Sequence, residues 1–203
     1  MTFVYGSVMR LSNLVILALL VVLSGCATER KVLVPKSATI PVGIDFSGQW
    51  QLREDSVDTV REITEAERKA AGGEESISLV PERTTKNKRR RRSDGTLVHV
   101  FLETGESLKV TQTADGLFIS FDRAVVEEYR FGEHREINVG PLEAERVSGW
   151  EGSTYVIETL DREGAKLIET YRLADGDRIL LRTIKIEQGD KSHLDITQAF
   201  DSS

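Results

Sequence analysis

The stretch that decides the fold is Gly140-PLEAERVSGWE-Gly152-STYVIETLDRE-Gly164-AKLIETYRLAD-Gly176-DRILLRTIKIEQ-Gly189, in which a glycine returns every twelve residues and once after thirteen. Between the glycines lie short runs rich in Val, Ile, Tyr and Leu that alternate with polar residues: Val147 to Trp150, Tyr155 to Ile157, Leu167 to Leu173 and Ile179 to Ile186. Alternation with period two places one set of side chains on each face of a strand, and a glycine at each boundary permits a tight reversal. Strands with a turn every 8 to 12 residues predict an antiparallel sandwich or barrel.

Upstream the same grammar continues. Leu108 to Thr113 and Leu117, Ile119 and Phe121 flank Asp115-Gly116, a hairpin turn, and Val125, Tyr129 and Phe131 run in phase with Glu127. Leu194, Ile196 and Phe200 close the series, so a meander of eight to ten strands is expected. Ala-Asp-Gly occurs at 114–116 and again at 174–176. Two independent Asp-Gly hairpins account for this more simply than a half-domain repeat.

Phe46, Gly48, Trp50 and Leu52 alternate in a first strand. Asp55-Ser56 offers N-cap side chains, and Val57, Val60, Ile63, Ala66 and Ala70 follow at helical spacing until Gly72-Gly73, predicting one amphipathic helix over 56–71. Residues 97–102 read as a short helix stopped by Gly105 or as a strand, since six apolar-rich residues do not fix a period, with the helix preferred. Residues 72–95 turn polar and carry Lys86, Lys88, Arg89, Arg90, Arg91 and Arg92, which predicts an exposed loop; it is either simply solvated or in contact with an anionic lipid surface.

At the N-terminus Arg10 precedes the apolar run Leu14 to Leu23 and the small pair Ser24-Gly25, the order of a secretory leader. A bilayer core needs about 20 apolar residues to be crossed by a helix, twice what this run supplies. Leu23-Ser24-Gly25-Cys26 resembles the lipobox of bacterial lipoproteins. That resemblance implies that residues 1–25 are a signal peptide and that Cys26 is acylated, becomes the mature N-terminus and anchors the chain to a membrane. With Ala27 rather than aspartate after the cysteine, it further implies the periplasmic side of the outer membrane in a two-membrane bacterium. Residues 26–44, with Pro35 and Pro41, are expected to form a flexible tether, and residues 45–203 a single β-rich domain.

Gly48-Gln49-Trp50 on the first strand of a meander is similar to the Gly-x-Trp motif of lipocalins. There the tryptophan plugs one end of the barrel under an arginine from a late strand, a position that Arg178 or Arg182 would supply. A leader cysteine, a Ser-Gly-x-Trp strand and the later Gly149-Trp150-Glu151-Gly152 also resemble uncharacterised bacterial lipoproteins, a resemblance that implies no activity.

Composition narrows the functional classes. With 27 basic against 33 acidic residues the net charge is −6, and no aromatics interleave with the basic run, which argues against nucleic acid. Cys26 is the only cysteine, and His99, His134 and His193 have no ligand spacing, so neither a disulfide nor a metal or other cofactor is expected. No nucleophile elbow, zincin motif or phosphate loop occurs, and the close carboxylates Glu127-Glu128, Glu143 with Glu145 and Asp161 with Glu163 read as solvated acids. The leading expectation is a lipid-anchored β domain that binds a protein partner in the cell envelope or supports the envelope. The alternative is a lipocalin-like carrier of a small apolar ligand, and an enzyme stands third.

Overall fold

The computed structural model describes residues 32–70 and 97–203. Cys26, the leader and the basic run 86–92 lie outside the described residues. Among those described, no helix is long and apolar enough to cross a membrane.

Ten antiparallel strands form one sheet that curls into a nearly closed barrel. They are β1 (Gly48–Leu52), β2 (Ser107–Gln112), β3 (Gly116–Phe121), β4 (Val125–Arg130), β5 (Glu133–Val139), β6 (Leu142–Glu151), β7 (Thr154–Asp161), β8 (Ala165–Ala174), β9 (Ile179–Gln188) and β10 (Lys191–Ser202). The order is β4-β3-β2-β1-β10-β9-β8-β7-β6-β5, so the first strand pairs with the last and β4 and β5 are the two edges. The barrel alternative is therefore the one realised, because β1 bridges β2 and β10 and joins all the strands of the described residues in one sheet.

Each glycine of the twelve-residue series sits at a strand reversal with positive φ, from +58° at Gly140 to +84° at Gly164. That left-handed region costs glycine nothing and a side chain with a Cβ roughly 1 kcal/mol or more, which is why the spacing of glycines spells the spacing of hairpins. At the β3–β4 reversal two non-glycine residues, Asp122 and Arg123, take φ of 47° and 58°. The Asp122 carboxylate holds this turn by accepting from the backbone N–H groups of Glu106 and Ser107.

Between β1 and β2 the chain makes a 3₁₀ turn (Glu54–Ser56) and helix α1 (Val57–Ala70). Ile63 is buried, while Val57, counted in the apolar stripe, is 47% exposed. The segment read as a short helix is a single 3₁₀ stretch, Leu97–Phe101. Its Val98 and Phe101, followed by Leu102, are buried with Ile63 of α1 in one end of the barrel.

Residues 32–44, expected to belong to a free tether, lie on the barrel. Leu33 packs with Val147 and Leu160 on its outer face. Ser37 pairs with Trp150, and the Lys36 ammonium bridges Glu151 and Glu158 with its side chain only 7% exposed. Burial works against the charge of Lys36, but the two carboxylates outweigh it and raise its pKa. Gly149 is where this strap crosses: a Cβ there would stand 2.5 Å from the Ser37 carbonyl oxygen and 2.8 Å from Lys36 Cβ.

Candidate functional site

Reading inward-facing residues along the long strands gives the same sequence of layers each time. From one end of the barrel to the other, β9 presents Leu180, then Arg182, then Ile184 and Ile186, and β8 presents Tyr171, then Glu169, then Leu167 and Ala165. On β10 the order is Phe200, Gln198, Ile196 and Leu194, and on β6 it is Trp150, Ser148, Arg146 and Ala144. The ladder registers stagger the polar members, with Arg182 opposite Gln198 and Tyr171, Glu169 opposite Ile184 and Ile157, and Arg146 opposite Thr159. The long arginine side chains bring them together by reaching Glu169 and the carbonyl oxygens of Phe101 and Glu103. The result is a polar belt between two apolar layers.

The first layer is a packed core. Phe46 stacks on Trp150 at 5.4 Å and 7°, and Phe131 and Tyr155 meet Trp150 edge-on or tilted. Trp50 belongs to this layer, 4% exposed, and its indole N–H donates to the Phe46 carbonyl. The second layer contains Ile184, Ile186, Leu194 and Ile196, closed over by Ile63, Val98, Phe101 and Leu102.

In the belt Arg182 is fully buried, and its Nη2 donates to Glu169, itself 1% exposed, and to the carbonyl oxygen of Glu103 at 2.7 Å. Its guanidinium lies 5.0 Å from the Phe121 ring centre and 5.6 Å from that of Tyr171. Arg146 donates through Nε to Thr159, through Nη1 to Glu127 and through Nη2 to the carbonyl oxygen of Phe101, and lies 5.4 Å over Tyr129. The segment 97–103 is thus held inside the barrel end by both arginines through its backbone oxygens.

Several belt atoms make no hydrogen bond among the described residues: Arg182 Nε and Nη1, Glu169 Oε1 and Gln198 Oε1. Burial, then the fields of Glu127 and Glu169, push the Glu103 carboxyl above its ordinary pKa against the opposing arginines. Tyr129 is pushed well above the ordinary phenol value by burial first and by Glu169 next. Both groups report surroundings that resist added negative charge.

The arginine expected over Trp50 is elsewhere. Arg182 sits a layer away from the end, over Phe121 and Tyr171, because a fully buried guanidinium needs a carboxylate and Glu169 is on the neighbouring strand. Arg178 lies on the surface, where it pairs with Asp175 of its own turn. Glu127, read as a solvated acid, is the partner of buried Arg146. Asp161 is buried as well, and its Oδ1 accepts from the N–H groups of Glu163 and Ala165 to close the β7–β8 turn. Burial raises its pKa.

Glu169 and Arg146 were legible only as alternation: each occupies an apolar-phase position of its strand, the one signal in the sequence that marks an inward charge. His99 is buried on the 3₁₀ stretch near His193, and His134 faces Glu145 on the surface. Among the described residues no three His, Cys, Asp or Glu side chains converge as a metal site would require.

No family model and no curated protein matches the chain. Among solved structures, it is similar to an abundant heat soluble (SAHS) protein of Ramazzottius varieornatus at 10% identity and a TM-score of 0.44, covering 81% of this chain and all of that one. Lipid binding protein 8 of Caenorhabditis elegans is similar at 12% identity and a TM-score of 0.44, covering 81% of this chain and all of that one. A luciferase domain of the dinoflagellate Lingulodinium polyedrum reaches 13% identity and a TM-score of 0.47 over 83% of this chain and 45% of its own. These likenesses concern the general course of the chain and say nothing of the belt.

Proposed function

We propose that the chain is a carrier or binding barrel for a small, largely apolar molecule with a polar head. The head takes the place at the Arg146–Arg182 belt that the Phe101 and Glu103 carbonyls hold here, and the apolar part the place of Val98, Phe101 and Leu102 against the second layer. The observation that carries this reading is the pair of unmatched donors on fully buried Arg182 beside the unmatched oxygens of Glu169 and Gln198. An unsatisfied buried donor or acceptor costs about 1–3 kcal/mol, more when charged, so four such atoms gathered in one belt are a strong disadvantage to a purely structural core. A ligand head answers them, and an apolar site with a few convergent polar groups is the usual make-up of a small-molecule site. Entry is at the end closed by α1 and residues 97–103, because the opposite end is the packed aromatic layer.

The anchor completes the proposal. Acylated Cys26 would hold the barrel at the periplasmic face of the outer membrane, with the basic run 86–92 beside anionic headgroups. Support for this comes from the lipobox-like Leu23-Ser24-Gly25-Cys26 and the charge run. Labelled palmitate should enter the wild-type chain in cells and be lost in Cys26→Ala.

The test of the carrier reading is fluorescence of the neutral probe N-phenyl-1-naphthylamine mixed with the purified chain. Saturable enhancement that a non-fluorescent apolar amphiphile reverses is the expected result. Absence of any enhancement above buffer overturns the reading.

A further inference from the structure

We infer that the head group of the ligand is neutral and both donates and accepts hydrogen bonds, a hydroxyl or a primary amide on an apolar chain, and that an ionised carboxylate is disfavoured; the inference rests on the carrier reading above.

The first ground is charge. Each buried guanidinium already has its own carboxylate, Arg182 with Glu169 and Arg146 with Glu127 at 3.3 Å, so the belt is balanced before a ligand arrives. Glu103 at its rim adds a further negative charge whenever it ionises. A carboxylate would enter a low-dielectric interior with no uncompensated positive charge to meet it, and would stand near Glu169.

The second ground is the pattern of unmatched atoms. Donors are open at Arg182 Nε and Nη1, and acceptors are open at Glu169 Oε1 and Gln198 Oε1. These come from β8, β9 and β10, with Arg182 and Gln198 directly opposed in the ladder. A carboxylate has acceptors only and would leave both oxygens unanswered. A hydroxyl or amide takes hydrogen bonds from the guanidinium and returns an O–H or N–H to the oxygens.

The third ground is what the arginines already hold. The oxygens drawn to Arg146 and Arg182 from residues 97–103 are the neutral amide carbonyls of Phe101 and Glu103, although Glu103 carries a carboxylate on the same residue. The chain itself thereby presents to the belt the kind of oxygen that a neutral head would present.

The experiment compares dodecan-1-ol, dodecanamide and dodecanoate on the full chain by calorimetry and by displacement of N-phenyl-1-naphthylamine, at about pH 8, where a carboxyl of ordinary pKa is ionised. The alcohol and the amide should bind at least tenfold more tightly than the carboxylate, and dodecanoate should gain affinity as the pH is lowered while dodecan-1-ol does not. In Glu169→Gln, which removes one belt charge and keeps the shape, the preference should shift at least tenfold toward dodecanoate. Equal or tighter binding of dodecanoate by the wild-type chain overturns the inference and leaves the carrier reading standing. Failure of all three compounds and of the probe overturns both. Should Glu169→Gln not fold, the wild-type comparison still decides.

Discussion

At the scale of the residue, the molecule turns on charges that a barrel core would ordinarily exclude. Arg182 and Glu169 are fully buried on neighbouring strands, and their attraction must offset a desolvation cost of several kcal/mol for each ion. Removing one partner strands the other, so Glu169→Leu is expected to lower unfolding free energy by about 3–5 kcal/mol. Replacing both, with Glu169→Leu and Arg182→Met, substitutes apolar packing continuous with Leu167 and Ile184 and should restore or exceed wild-type stability while abolishing ligand binding. Urea unfolding followed by tryptophan fluorescence measures both. A double variant as unstable as the single would mean that the pair holds the fold and not the site.

At the scale of the element, the strap over 32–44 shows how one backbone position admits a crossing. Its attachments are Leu33 in an outer apolar pocket, the Ser37–Trp150 bridge and the Lys36 ion pairs. All depend on the close approach at Gly149. A methyl group there meets the Ser37 carbonyl oxygen and the Lys36 Cβ, neither of which can swing away, so Gly149→Ala should cost about 1–3 kcal/mol. Amide hydrogen exchange should rise along 32–44 and leave β8–β10 unchanged; protection retained in the strap would contradict this account. The 3₁₀ stretch 97–101 is the other element of consequence, since it fills the barrel end with side chains while its carbonyl and that of Glu103 occupy the arginines.

At the scale of the whole molecule, two groups at the barrel end shape stability against pH with opposite signs. Burial, and next the field of His193, hold the pKa of His99 below its usual value. The unfolded chain therefore takes up this proton first as pH falls, and the His99 contribution is present above about pH 6.5 and lost on descending through the folded pKa. Glu103 is shifted upward, so its contribution is present below about pH 4.5 and lost as pH rises through the folded pKa. In His99→Gln the loss of urea midpoint between about pH 7 and 5 should shrink relative to wild type; an unchanged slope would assign the acid limb to other groups.

The barrel was legible in the sequence because its causes are local: period-two alternation sets which side chains face inward, and a left-handed turn selects glycine, so strands and hairpins could be read from Gly140 to Gly189 directly. The first strand and α1 were legible for the same reason, through alternation and helical spacing. Closure by pairing β1 with β10 was not, since partners some 150 residues apart leave no local mark. The belt was half legible. Glu169, Arg182 and Arg146 stand in phase with apolar neighbours on their strands, but whether such a charge is buried or lies at a wet rim depends on strand register across the barrel. The strap was misread as tether because Pro35, Pro41 and mixed charges have no period, and only the fold supplies Glu151, Glu158 and Gly149 to receive it. The sequence by itself thus determined the elements and which face of each is apolar. The tertiary structure alone decided which charges meet, because an ion pair between distant strands is stabilised by a register that no short stretch of chain contains.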